Sequence, residues 1–188
     1  MVKKMMTLFI FSLLLLNFSN TASYTAHAAY GDTRTVNAYD PLPYGWGIKE
    51  QYTSSGKTFF IIVDLNGASY GARNTVSSTR NVPPGWAITD RYTSATGTTT
   101  ISLIYLNGGA AYGATNMVIN TWNVPSGWAI KDKYTNVSGT TYFTLINLNG
   151  ATSGTRAYVV DLWNVPSSWT VYGQSTSANG TTYTIWKL

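Results

Sequence analysis

Cysteine is absent from this chain, and its single histidine, His27, falls among the first 28 residues. Without thiols no disulfide can staple the fold and no lipid can be attached through sulfur. Packing and hydrogen bonds must therefore hold it together. Charge is scarce as well, at 10% Asp, Glu, Lys and Arg, and it lacks the clustered basic face that marks a nucleic-acid footprint. Long apolar runs are missing too. The one apolar stretch, Thr7 to Phe18, is shorter than the roughly 20 residues that a membrane helix needs. With Lys3 and Lys4 before it and Ala26-His27-Ala28 behind it, it reads as a secretory signal peptide over residues 1–28. The expected destination is extracellular, or the periplasm or cell surface, with no membrane insertion once the signal is removed. The Lys-Lys start and the lack of cysteine suit bacterial export.

The mature chain, residues 29–188, suits a single domain with one sizeable core. Of the 12 basic residues, loss of Lys3 and Lys4 leaves 10 against 7 acidic ones, a net charge of +3. What the chain does contain is Gly, Ser, Thr, Asn, Tyr and Trp, a composition for β-structure and for neutral polar partners.

Self-similarity organises it. "DPLPYGWGIKEQYT", "NVPPGWAITDRYT", "NVPSGWAIKDKYT" and "NVPSSWTVYGQST" follow one another, with Trp46, Trp86, Trp128 and Trp169 spaced 40, 42 and 41 residues apart. A second marker, Leu-Asn-Gly, begins at Leu65, Leu106 and Leu148, and the fourth unit would place that leucine at Leu188. The period indicates four tandem units of about 41 residues, over 33–71, 72–113, 114–154 and 155–188. Each reads as three strands: one through "TRTVNAYD" or its relatives, a Pro turn, the Trp-bearing strand, a short Gly-containing hairpin loop, and a third strand such as "TFFIIVDLN". Helical periodicity is missing outside the leader. The expected fold is all-β, with four three-stranded antiparallel repeats closed into a propeller- or prism-like ring. Closure would hide the sheet edges, the first strand of the chain pairing with the last. The alternative is an open stack of β-meanders.

Along the second strand of the third unit, alternation places Trp128, Ile130, Asp132 and Tyr134 on one face and Lys131 and Lys133 on the other. The four repeated tryptophans are accordingly expected to be structural core, since each unit must bury the same face against its neighbours. Glu50, Asp90 and Asp132 fall on that apolar face. Either they accept hydrogen bonds from a neighbouring unit's turn amides or indole, or a ring brings them together near its axis around a cation. The first reading is the simpler, and no metal or cofactor is expected.

Catalysis finds little support. The mature chain has neither histidine nor cysteine, which removes the commonest general base and the thiol nucleophile. Ser69 in "GASYG" matches a G-x-S-x-G elbow, but the equivalent positions are Ala111 and Thr152. A glycoside-active enzyme would need two carboxylates in different environments, and a pair such as Asp40 with Asp64 is the exception to a non-enzymatic reading.

A polar residue followed two positions later by an aromatic recurs on one face of the first strand in three units: Asn37 and Tyr39, Asn120 and Trp122, Asp161 and Trp163; the second unit has Ser78 and Arg80. An aromatic ring beside an amide or carboxylate suits a sugar, whose C–H face stacks while its hydroxyls need fixed polar partners. These six residues are the candidate ligand-binding set. The function expected is a secreted, non-catalytic, lectin-like protein whose partners are glycans or cell-surface polysaccharide. The alternative is a structural or adhesive component of an extracellular matrix or cell envelope. Packing beneath the Pro turn is the competing role for Trp122 and Trp163.

Overall fold

The computed structural model of the protein describes residues 28–178 and 180–188. Residues 1–27, which hold nearly all of the expected leader, lie outside them. The first unit supplies β1 (Thr33–Asn37), β2 (Trp46–Ser54) and β3 (Lys57–Asp64), and the second β4 (Arg73–Val76), β5 (Trp86–Thr93) and β6 (Thr99–Tyr105). The third supplies β7 (Thr115–Val118), β8 (Trp128–Thr135) and β9 (Thr141–Asn147), and the fourth β10 (Arg156–Val159), β11 (Trp169–Ser177) and β12 (Gly180–Lys187). The result is four three-stranded antiparallel sheets, with no helix among the described residues.

Second and third strands form tight hairpins because the loops carry residues able to turn them. Ser55 and Gly56 sit at φ 50° and 73°, positive at both central positions, as a two-residue hairpin whose twist matches its strands requires. The first strand does not pair with the second. The chain leaves it through the Pro turn and crosses the end of the sheet, so the third strand lies in the middle, in the order β1-β3-β2 and its equivalents.

That order removes the strand pairing expected to seal the ring. β12, the last strand, is flanked by β10 and β11 and has no free edge to offer β1. Between sheets, contacts join β2 to β4, β5 to β7 and β8 to β10, and no strand of the fourth sheet meets the first among the described residues. The units stand in an open row, the stack rather than the ring.

The core is divided among the junctions. Trp86 packs with Val63 and Leu65 of the first unit as well as with Val76, Ile88, Ile101 and Leu103 of its own. Trp128 does the same against Ala87, Ile104 and Leu106, and Trp169 against Ala129, Ile146 and Leu148. Trp46 packs only within the first unit, with Ile48 and Ile62. Each tryptophan after the first therefore cements its unit to the one before it, burying apolar surface that neither unit could hide alone.

Three further contacts repeat at the joints. Asn81, Asn123 and Asn164, the first residues of the Asn-Val-Pro turns, adopt φ of 65°, 61° and 60°, a left-handed conformation that Asn tolerates better than most side chains. From there each Nδ2 donates to a carbonyl of the preceding unit: Asn123 to Pro83 at 2.7 Å, Asn164 to Pro125 at 2.7 Å and to Trp128 at 2.9 Å, and Asn81 to Pro43 and Trp46. Tyr30, Tyr70 and Tyr112, each just ahead of its unit's first strand, stack on Trp86, Trp128 and Trp169 of the following unit, with centroids 5.9, 6.0 and 6.2 Å apart. The indoles of Trp86 and Trp128 donate to the carbonyls of Leu65 and Leu106 at 3.2 Å.

The outer units depart from this code where they have no neighbour. Pro41 occupies the clamp position in the first unit and Ser153 the stacking-tyrosine position in the fourth. Arg34 covers Trp46, 4.5 Å from the ring centroid. On the opposite end Arg156 lies 4.8 Å from the Tyr172 ring and 5.2 Å from that of Trp186. Thr170 is exposed where Gly47, Ala87 and Ala129 are buried beneath the next unit.

Candidate functional site

A β-bulge in each Trp strand decides what faces outward. Register shifts by one residue between Ile48 and Glu50, Ile88 and Asp90, Ile130 and Asp132, and Val171 and Gly173. Ile130 pairs with Leu145 but Asp132 with Thr144, and adjacent residues of β9 point to opposite faces. Asp132 and Tyr134 therefore do not share the Trp128–Ile130 face, contrary to the simple alternation, and the same holds in the first two units. The carboxylates are spared burial. Glu50, Asp90 and Asp132 are all exposed, and Oδ1 of Asp90 and of Asp132 accepts from the next backbone N–H, of Arg91 and Lys133, at 2.8 Å. Neither a neighbouring unit's turn nor an indole supplies that hydrogen. In an open row the three carboxylates have no common axis, and no group of metal-ligating side chains is assembled among the described residues.

The six candidate binding residues lie later than the strand pattern implied. β7 ends at Val118 and β10 at Val159, so Asn120, Trp122, Asp161 and Trp163 fall in the connection to the Pro turn; only Asn37 belongs to a strand. The spacing of two is a turn, not a shared strand face. The Tyr39 amide donates to Asn37 Oδ1 at 3.0 Å, the Trp122 amide to Asn120 Oδ1 at 3.1 Å, the Trp163 amide to Asp161 Oδ1 at 2.8 Å, and the Arg80 amide to Ser78 Oγ at 3.1 Å. These are side-chain-closed turns, which explains why the second unit keeps the polar residue without the aromatic. The rings themselves are outside: Tyr39 is 88% exposed, Trp122 40% and Trp163 38%, against 0% and 1% for Trp86 and Trp128.

The bulge and the turn meet at each junction. Immediately after the first strand of a unit, a backbone N–H donates to the isoleucine carbonyl that precedes the bulge of the unit before: Ser77 to Ile48 at 2.7 Å, Ile119 to Ile88 at 2.9 Å and Val160 to Ile130 at 2.9 Å. At the first junction a cleft of about 910 Å³ opens between the projecting hairpins, lined by Lys49, Glu50 and Gln51 on one side and Ser78, Arg80 and Thr98 on the other. By the repeat, Thr89, Asp90 and Arg91 stand in the same relation to Asn120 and Trp122 at the second junction. Lys131, Asp132 and Lys133 do so to Asp161 and Trp163 at the third. At the first junction the bulge carboxylate Glu50 and the turn residues Ser78 and Arg80 line one cleft, and the repeat extends that relation to the polar–aromatic pairs of the other two. Asn37 and Tyr39 have no preceding unit and stand apart from any junction. The flanking cations Lys49, Arg91, Lys131 and Lys133 were legible only as a solvent face.

Asp64 and Asp40 stand in different environments. Asp64 is buried, with Oδ1 accepting from the Asn66 amide and Nδ2, both at 2.9 Å, whereas Asp40 is exposed. Tyr105, Asn147 and Lys187 take the position of Asp64 opposite the other tryptophans, so a carboxylate there is not a shared requirement. Ser69 lies in the turn ahead of β4, followed by a strand rather than the helix of a nucleophile elbow. No protein-family model matches this chain, and neither does any of the curated proteins or solved structures compared with it.

Proposed function

We propose that the protein is a secreted, non-catalytic carbohydrate-binding repeat protein whose saccharide sites are the clefts at the second and third junctions. The observation that carries this reading is the exposure of Trp122 and Trp163 in a chain that buries its other repeated tryptophans. Each ring stands on a side-chain-closed turn, and the repeat would set it near a carboxylate and a cation of the preceding unit. An indole offers a flat apolar surface to the C–H face of a pyranose, and Asp90 with Arg91, or Asp132 with Lys133, offers acceptor and donor to its hydroxyls. The turn uses one oxygen of Asn120 and of Asp161, leaving the amide nitrogen of the first and the second oxygen of the other for a ligand. Similar weak sites fixed along one rigid row reinforce one another on a polymer or a glycan-coated surface. Export under the expected leader would deliver the protein to such a surface.

The test is a glycan-array screen of the mature chain, residues 29–188, with the Trp122→Ala/Trp163→Ala double variant beside it. The expected result is specific glycan binding that falls at least about tenfold in the variant, equivalent to roughly 1.4 kcal/mol, with a melting temperature within a few degrees of wild type. A large loss of stability would return both rings to packing. Absence of binding to any glycan would favour the matrix or envelope role. Release of reducing ends would point instead to a glycoside-active enzyme using paired carboxylates.

A further inference from the structure

We propose that the cleft at the first junction receives the anionic group of an acidic sugar, so that the protein selects carboxylated or sulfated polysaccharide over its neutral counterpart. This rests on the carbohydrate-binding reading and names the class of glycan.

The first junction departs from the other two most sharply at one position. Where the third and fourth units carry Trp122 and Trp163, the second carries Arg80. Its backbone amide is pinned by Ser78 Oγ at 3.1 Å, as the tryptophan amides are pinned by Asn120 and Asp161, so the turn that presents the side chain is unchanged. Arg80 is exposed, and its guanidinium has no partner among the described residues. Lys49, the extra residue of the bulge, lines the same cleft. It too is exposed and without a partner among the described residues.

Charge separates the three junctions. Lys49 and Arg80 face one carboxylate, Glu50, in the first cleft. The equivalent positions balance at the second junction, Arg91 against Asp90, and at the third, Lys131 and Lys133 against Asp132 and Asp161. Only the first has a cation in excess. A guanidinium presents paired N–H donors in the geometry of a carboxylate or sulfate edge, an interaction that a neutral hydroxyl does not match. Gln51, Ser78 and Thr98 supply neutral donors and acceptors around it, suited to ring hydroxyls. A cleft of about 910 Å³ falls in the range that holds small ligands, roughly 300–1,000 Å³, enough for sugar rings and not only a lone anion.

The experiment compares polygalacturonate with its fully methyl-esterified form, in which each carboxylate is a neutral ester on the same backbone, and dextran sulfate with dextran. All four are titrated into the mature chain at fixed ionic strength by calorimetry. The expected result is at least about a tenfold preference for one acidic polymer over its neutral partner, shrinking as salt rises. The Lys49→Gln/Arg80→Gln variant should lose that preference while keeping its melting temperature. Lys57→Gln, at an exposed hairpin tip, should retain it. The polymer that shows the preference tells carboxylate from sulfate. Equal affinities within both pairs overturn the proposal, as does a preference untouched in the double variant, or lost equally in Lys57→Gln. If no acidic polymer binds but neutral glycans do on the array, this inference falls and the carbohydrate-binding reading stands. If nothing binds in either experiment, both fall.

Discussion

Trp128→Ala is expected to be the most destabilising substitution at any repeated tryptophan, lowering stability by about 4 kcal/mol. The indole is 1% exposed and packs on Ala87, Ile104 and Leu106 of the second unit and on Val118, Ile130 and Leu145 of its own. Truncation of a buried Trp costs on the order of 3–5 kcal/mol through lost transfer energy and the cavity left behind. It also removes the donor to the Leu106 carbonyl at 3.2 Å and the ring on which Tyr70 stacks. For a chain of this length the melting temperature should fall by roughly 8–16 °C. Because the residue lies at the central joint of a row, the damage is to coupling as well as to stability. Units one and two should come apart from units three and four, and the single transition should broaden. Trp46→Ala is the internal comparison: its ring meets no preceding unit and is covered by Arg34, so the loss should be smaller. Equal losses at Trp46 and Trp128, measured by urea titration, would contradict a core built at the junctions.

Much of this architecture can be read in the sequence, because a repeat announces its own boundaries. Tryptophan spacing locates the units, and the glycines of the short loops locate the hairpins that β2–β3 and its equivalents form. Strand order cannot be read the same way. Loop length identifies a hairpin, but the long crossing through the Pro turn leaves the partner of β1 undetermined, and the ring was inferred from a third strand at an edge it does not occupy. The bulge is equally hidden: "WAIKDKYT" shows the same alternation with or without an extra residue, yet the extra residue moves Asp132 and Tyr134 to the other face. The first strands are shorter than the repeat pattern implies, Arg73–Val76 in the second unit, because after Val76 the backbone turns away to bond Ile48 of the preceding unit. The polar–aromatic pairs were visible as residues. Their cause, a turn closed by the side chain, is written only in the two-residue spacing that strand alternation also produces. The junction code is written in the repeated asparagines and tyrosines, and the outer units depart from it with Pro41 at the clamp position and Ser153 at the stacking-tyrosine position.

The clamp makes the other large prediction. Asn164 combines φ 60° with two donated bonds, to the carbonyls of Pro125 at 2.7 Å and Trp128 at 2.9 Å. Asn164→Gly keeps the left-handed backbone and loses only the bonds, so it should cost about 1–2 kcal/mol. Asn164→Ala loses the bonds and leaves in the left-handed region a side chain without asparagine's tolerance for it, where an ordinary residue pays roughly 1–2 kcal/mol, bringing the total to about 2–4 kcal/mol. Asn164→Asp separates the two contributions differently. Aspartate tolerates the backbone nearly as well as asparagine does, but it sets a charged oxygen against two carbonyl oxygens that need a donor. It should therefore destabilise more than Gly despite being the closest isostere. An Asp variant as stable as wild type would show that the side chain holds the turn and not the joint. Because Asn164 ties the fourth unit to the third, hydrogen exchange should report the loss locally. Amides of β10, β11 and β12 should exchange faster while those of β1 to β6 keep their protection, since in a row each unit leans only on its neighbours.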